Sequence, residues 1–106
     1  METDVVLAYI TTKDKALAVR IGKALVEKKV AACVNIWDGM QSIYCWEGRV
    51  EESSETVLLV KTTAGQVESL IQVVKALHSY RVPCILTFPV SNGNPDYLKW
   101  LKDSVS

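Results

Sequence analysis

The chain contains one histidine, His78, and three cysteines, Cys33, Cys45 and Cys84, and these four residues hold its whole capacity for imidazole or thiolate chemistry. Acid-base work near neutral pH, or imidazole ligation of a metal, would rest on His78 alone. Its other role is the ordinary one of a histidine at the end of a helix, where the ring interacts well with the dipole. The cysteines are widely spaced with no C-x-x-C pair among them, whereas thiolate metal sites usually draw on close spacing. Three thiols in predicted strands read as reduced, buried small hydrophobes rather than disulfides or ligands. A further group, Tyr44, Trp46, Glu47, Arg49, Glu51, Glu52 and Glu55, mixes aromatic rings with charge. It could hold a ligand or cations, but alternation in a hairpin, with a subunit contact and a solvated acidic edge, accounts for the same pattern. There is no P-loop, no G-x-G-x-x-G, no H-E-x-x-H and no G-x-S-x-G, so a catalytic reading has only isolated residues to stand on, and no enzyme is expected.

Composition narrows the classes further. With 106 residues, 49% hydrophobic and 23% charged, the chain is expected to form one compact domain, 1–106, with enough apolar material for a core. Twelve basic side chains balance twelve acidic ones, and no Lys or Arg run is long enough to track a phosphate backbone, so nucleic acid is not an expected partner. The amino terminus, Met1-Glu2-Thr3-Asp4, is acidic where a signal peptide is basic, and the longest apolar runs are strand-length. A cytoplasmic protein with no membrane segment is expected.

Positioning of these residues falls to the stretch from Ala31 to Thr62, which reads as two long strands joined by a tight turn near Glu47-Gly48. Asp38-Gly39 interrupts the first of them and could be a turn, but reads as a bulge or bend, because a β-rich run resumes at once from Met40. Arms of about a dozen residues, at roughly 3.3 Å each, reach on the order of 40 Å, farther than a small core can cover. Before this hairpin, Val5 to Thr11 reads as a central strand. Thr11 or Thr12 is then the expected cap of a helix carrying Leu17, Ile21 and Leu25 on one face. After the hairpin, Thr63-Ala64-Gly65-Gln66 matches a capping box opening a second helix, with Val67, Leu70, Ile71, Val74 and Leu77 as its apolar stripe. Val82 to Val90, with a proline near each end, reads as an edge strand, and Asn94-Pro95-Asp96 opens a short last helix. The order βαββαβ plus a C-terminal helix is an α+β, ferredoxin-like split βαβ, with an antiparallel sheet in strand order 4-1-3-2. Both crossover helices lie on one face of such a sheet, yet the central strands are apolar on both, so copies of the chain are expected to cover the other in a closed homo-oligomer.

Four segments stand out together: Val30-Ala31-Ala32-Cys33-Val34-Asn35-Ile36, Ser42 to Glu52, His78-Ser79-Tyr80-Arg81-Val82-Pro83 and Gly93-Asn94-Pro95-Asp96-Tyr97-Leu98-Lys99-Trp100-Leu101. In this order and spacing they resemble the CutA family of divalent-cation-tolerance proteins. The resemblance implies a homotrimer built through the long hairpins, kin in architecture to the PII signalling proteins. It implies a role in the response to metal ions, acting by binding, with no cofactor required and with copper or another divalent metal as ligand; a small metabolite or an anchored protein is the alternative partner. The family's metal ligands, a cysteine ending the first strand and a His-His pair, fall here on Ile10, Leu77 and His78, leaving His78 as the single metal candidate. The family's His-Pro-Tyr-Glu-Val-Pro-Glu run has Ser79, Arg81 and Cys84 in place of its first proline and two glutamates. Cys33, Tyr44, Trp46, Lys61, His78 and Tyr80 are carried over as the lining of a ligand cleft between subunits.

Overall fold

The computed structural model describes residues 3–106, so Met1 and Glu2 of the polar amino terminus lie outside the described residues. The elements follow in the order β1 (Val5–Thr12), α1 (Lys15–Glu27), β2 (Cys33–Trp46), β3 (Arg49–Thr63), α2 (Val67–Leu77), β4 (Ile85–Pro89) and α3 (Pro95–Ser104). Every strand pairing is antiparallel, and the order β2-β3-β1-β4 is the expected 4-1-3-2 taken from the other edge.

Alternation along the two central strands builds the core. Ala8 stands opposite Val60 and Ile10 opposite Leu58, and these four pack with Leu17, Ala18, Ile21 and Leu25 of α1 and Leu70 and Val74 of α2. Each fully buried Leu or Ile here contributes about 2 kcal/mol. Buried hydroxyls on the same strands are satisfied locally: Thr12 Oγ1 lies 3.0 Å from the Asp14 carbonyl and 3.2 Å from that of Thr56, and Thr62 donates to the Val30 carbonyl.

Helix ends depart from expectation for local reasons. Neither Thr11 nor Thr12 caps α1, because β1 continues through Thr12, which pairs with Thr56. Asp14 is the cap, its Oδ1 accepting from the Leu17 N–H at 2.9 Å. At the other end the Val30 N–H reaches the Leu25 carbonyl and the Lys29 N–H that of Val26. This Schellman closure puts Lys29, a non-glycine residue, at φ 58°. The Thr63 capping box does not form: the Thr63 side chain makes no cap bond, residues Ala64–Gln66 make a 3-10 turn, and α2 begins at Val67. Asn94 does cap α3, accepting from the Asp96 N–H with Pro95 in the first turn.

β4 is an edge strand as expected, but it holds only five residues, pairing Ile85 with Ile10 through Pro89 with Val6. Residues 82–84 therefore belong to the connection from α2. On the sheet face away from α1 and α2, α3 covers one end, where Leu101 and Val5 are buried. The rest is open, with Phe88 and Leu86 about half exposed and Trp37 72% exposed.

Beyond this sheet, β2 and β3 continue alone as an arm. Glu47 and Gly48, at φ 49° and 78°, form a two-residue turn between the paired Trp46 and Arg49, the geometry of a type I′ hairpin. The expected bulge is present, as the register slips between Trp37 and Met40 with Gly39 at φ 77°. Asp38 Oδ1 secures it by accepting from the Gly39 N–H and the Thr56 hydroxyl. The arm stretches the molecule to 45 × 27 × 23 Å, with a radius of gyration of 14.4 Å against about 13 Å for a compact chain of this length.

Candidate functional site

Where β1 ends, the arm and the connection from α2 to β4 enclose a cleft of about 490 Å³. Tyr44 and Trp46 come from β2, Glu55 from β3, Thr11 from β1, and Ser79, Tyr80, Arg81, Val82 and Cys84 from the connection. The register explains the grouping on the arm: Tyr44 pairs with Glu51, Trp46 with Arg49 and Met40 with Glu55, so Tyr44, Trp46 and Glu55 share one face. The Tyr9 hydroxyl, 3.5 Å from Met40 Sδ, ties that face to the side of the sheet away from α1 and α2.

His78 sets the start of the connection. Its backbone N–H closes α2 on the Val74 carbonyl, and its Nε2 lies 2.7 Å from the Thr11 carbonyl. A carbonyl only accepts, so Nε2 carries the proton and Nδ1 is left to accept from the Tyr80 N–H at 3.0 Å. Tyr80 is thereby folded back, its ring centroid 4.8 Å from that of His78. Its hydroxyl donates to Glu55 Oε2 at 2.8 Å, joining the connection to the arm. Partial burial pushes the Tyr80 phenol up to about 12, helped by the bond to Glu55 and the negative charges of Glu55 and Asp14.

The six residues carried over from the sequence thus fall into two groups. Tyr44, Trp46 and Tyr80 line the cleft together, and His78 stands behind Tyr80. Cys33 and Lys61 are Cα partners at the far end of the sheet, where Lys61 pairs with Leu7 on its other side. That row is four residues from the Thr11–Val57 row beside the cleft, roughly 13 Å along the strands. Lys61 Nζ donates to the Tyr97 hydroxyl at 3.3 Å and borders a separate apolar cavity of about 390 Å³ with Leu98 and Leu101. Glu55, Arg81, Cys84 and Thr11 line the cleft without having been assigned to it. Their signals were an acidic neighbour in the hairpin, two departures from a family run, and, for Thr11, none.

Among the described residues, a divalent metal finds no set of donors within one chain. Ile10 is fully buried in the core, Leu77 packs against it, and both nitrogens of His78 are engaged. Among the described residues, no three His, Cys, Asp or Glu side chains are grouped so as to hold an ion. The three thiols are free. No helix among the described residues is long and apolar enough to cross a membrane.

Comparison with known proteins places this architecture. The family model of the CutA1 divalent ion tolerance protein matches residues 6–104. The divalent-cation tolerance protein CutA of Thermus thermophilus is 50% identical over 98 residues, covering 92% of this chain and 95% of its own. A solved Cut A1 structure from the same organism aligns with a TM-score of 0.94 at 46% identity, over 96% of this chain and 99% of that one. A CutA homolog of Xenopus laevis is 42% identical over 92% of this chain, which spans 65% of the frog protein's length. A structure from Archaeoglobus fulgidus, described as a periplasmic divalent cation tolerance protein CutA, matches at 39% identity and a TM-score of 0.94, over 96% of this chain and 99% of that one. The chain belongs to the CutA1 divalent ion tolerance family.

Proposed function

We propose that the chain works as a homotrimeric binding protein in the response to divalent metal ions, copper among them, and not as a catalyst. Family membership supports the metal response. The observation that carries the assembly is the uncovered apolar face of the sheet, together with Ile43 and Val50, more than half exposed on the row of the arm that looks away from the cleft. A lone two-stranded ribbon of this kind is marginally stable in water, so neighbouring arms are its natural cover. Since the described residues of one chain do not gather metal donors, this reading puts copper between subunits, where thiols of different chains can approach one another. Free Cys33, Cys45 and Cys84 also suit a reducing compartment, and we assign the protein to the cytoplasm on that ground.

Native mass spectrometry of untreated protein, followed by copper titration of wild type and of a Cys33→Ser, Cys45→Ser, Cys84→Ser variant, tests both parts. The expected result is a mass three times that of the chain, with copper affinity that falls in the thiol-free variant. A monomer refutes the assembly, and equal affinities of the two proteins remove thiol-held copper from the reading. The cleft favours a second reading, a PII-like small-molecule sensor, which requires a ligand that raises thermal stability.

A further inference from the structure

Among the described residues, Glu55 is a half-buried carboxylate without a cation. Its Oε2 accepts from the Tyr80 hydroxyl, and neither of its oxygens lies within 4 Å of a basic group; the one ion pair among the described residues is Lys99 with Asp103, at the surface of α3. Around it stand three aromatic side chains, Tyr44, Trp46 and Tyr80, brought to one cleft from the arm and from the connection after α2. Neither Tyr44 nor Trp46 makes a close ring pair with Tyr80, and Tyr44 and Trp46 are 44% and 56% exposed, so ring surface faces the open volume. Aromatic faces are the negative side of a quadrupole and attract cations that carry apolar surface.

We propose that this cleft binds an organic ammonium ion, its alkyl groups against Tyr44, Trp46 and Tyr80 and its charge balanced by Glu55. A bare divalent ion is the poorer match, because hard cations take six or more oxygen ligands and this cleft presents ring faces and a single carboxylate. An anion is disfavoured by Glu55 itself, whose charge adds to the effect of burial in raising the Tyr80 phenol. Arg81 is the one lining residue of opposing sign; it is exposed and makes no ion pair, so nothing fixes its charge over the site. The ammonium site is independent of thiol-held copper, since it uses none of the cysteines.

Choline and its neutral isostere 3,3-dimethylbutanol, equal in shape and differing in charge, separate the two driving forces. Each is titrated into the wild-type protein, read by tryptophan emission and by thermal shift, with sodium benzoate as the anionic probe. The expected result is saturable choline binding about tenfold tighter than that of the isostere, weakened about tenfold in Glu55→Gln. Trp46→Leu removes the emission change that choline causes, and Arg81→Ala tightens choline binding. Should either variant fail to fold, the choline-to-isostere ratio in wild type still decides. Equal binding of choline and isostere, preferential binding of benzoate, or no saturable response to choline overturns the proposal.

Discussion

Gly22 offers the sharpest test of how α1 is seated. It is buried in the middle of the helix, facing β2, and a Cβ built on it would lie 3.3 Å from Val34 Cγ1, 3.5 Å from Val34 Cβ and 3.8 Å from Ile36 Cδ1. Two terms favour Gly22→Ala: about 1 kcal/mol of helix propensity and about 0.8 kcal/mol from burying one methyl group. One term opposes it, since Val34 must yield by a few tenths of an ångström. Val34 is half-buried on an edge strand and faces an open groove with Val19, Val26 and Ile36, so it has room to move. We therefore expect a net gain of about 1 kcal/mol, or roughly 4 °C in Tm for a domain of this size. Equilibrium urea unfolding of both proteins at equal chain concentration measures it, because assembly would make the midpoint depend on concentration. Gly22→Leu, too large for the gap, is expected to lose about 1–3 kcal/mol in the same assay. A loss of 1 kcal/mol or more in Gly22→Ala would show that Val34 is pinned and that the groove is not open space in the working protein.

Two further substitutions test the local chemistry. Lys29 closes α1 in the left-handed region, where glycine pays no Cβ penalty, so Lys29→Gly should stabilise by about 0.5 kcal/mol by urea unfolding; a clear loss would argue against this helix end. The Tyr80 phenol, held near 12, should fall back toward the usual 10.0 in Glu55→Gln, as followed by phenolate absorbance. Its folded value is the higher one, so the stability it contributes is complete below pH 10 and is lost as pH rises from 10 toward 12. Burial, the larger cause of the shift, remains in Glu55→Gln, so wild-type stability should fall more steeply than that of the variant across this window, and parallel curves would mean that the Tyr80–Glu55 bond adds nothing to the shift.

The fold was legible in the sequence because its strongest signals are periodic or stereochemical. Continuous apolar runs marked β1 and β3 as central, the prolines near the ends of β4 marked an edge, and Asp38-Gly39 marked a bulge or bend. Helix caps were less legible, since Thr11, Thr12 and Asp14 are all good capping residues. The choice fell to Asp14 through the extra ladder pair of Thr12 with Thr56, a contact 44 residues away in sequence. Similarly, Thr63 kept its strand pairing with Val5 and did not cap α2. The cleft was half legible. Tyr44, Trp46 and Glu55 follow from hairpin alternation, but their meeting with Tyr80, Arg81 and Cys84 depends on the path of a connection with no periodicity to read. Cys33 and Lys61 were grouped with them by family resemblance, as lining of a cleft between subunits; within one chain they stand at the far end of the sheet.

The bulge at Asp38-Gly39 has a consequence of parity. Below it, the odd-numbered residues of β2, Cys33, Asn35 and Trp37, stand opposite the odd-numbered residues of β3, Lys61, Leu59 and Val57. Above it, even meets odd: Met40 with Glu55, Ser42 with Ser53, Tyr44 with Glu51, Trp46 with Arg49. One supernumerary residue thus exchanges the two rows of the whole outer arm. Were every residue kept and the two strands paired straight through without the bulge, Ile43 and Cys45 would look into the cleft, and Tyr44 and Trp46 would look away. The aromatic character of the cleft is therefore written as much in the register as in the identities of its residues: deleting one residue at the bulge would straighten the strand and leave Tyr44 and Trp46 on the cleft face, whereas closing the bulge with the residue count unchanged would turn them away.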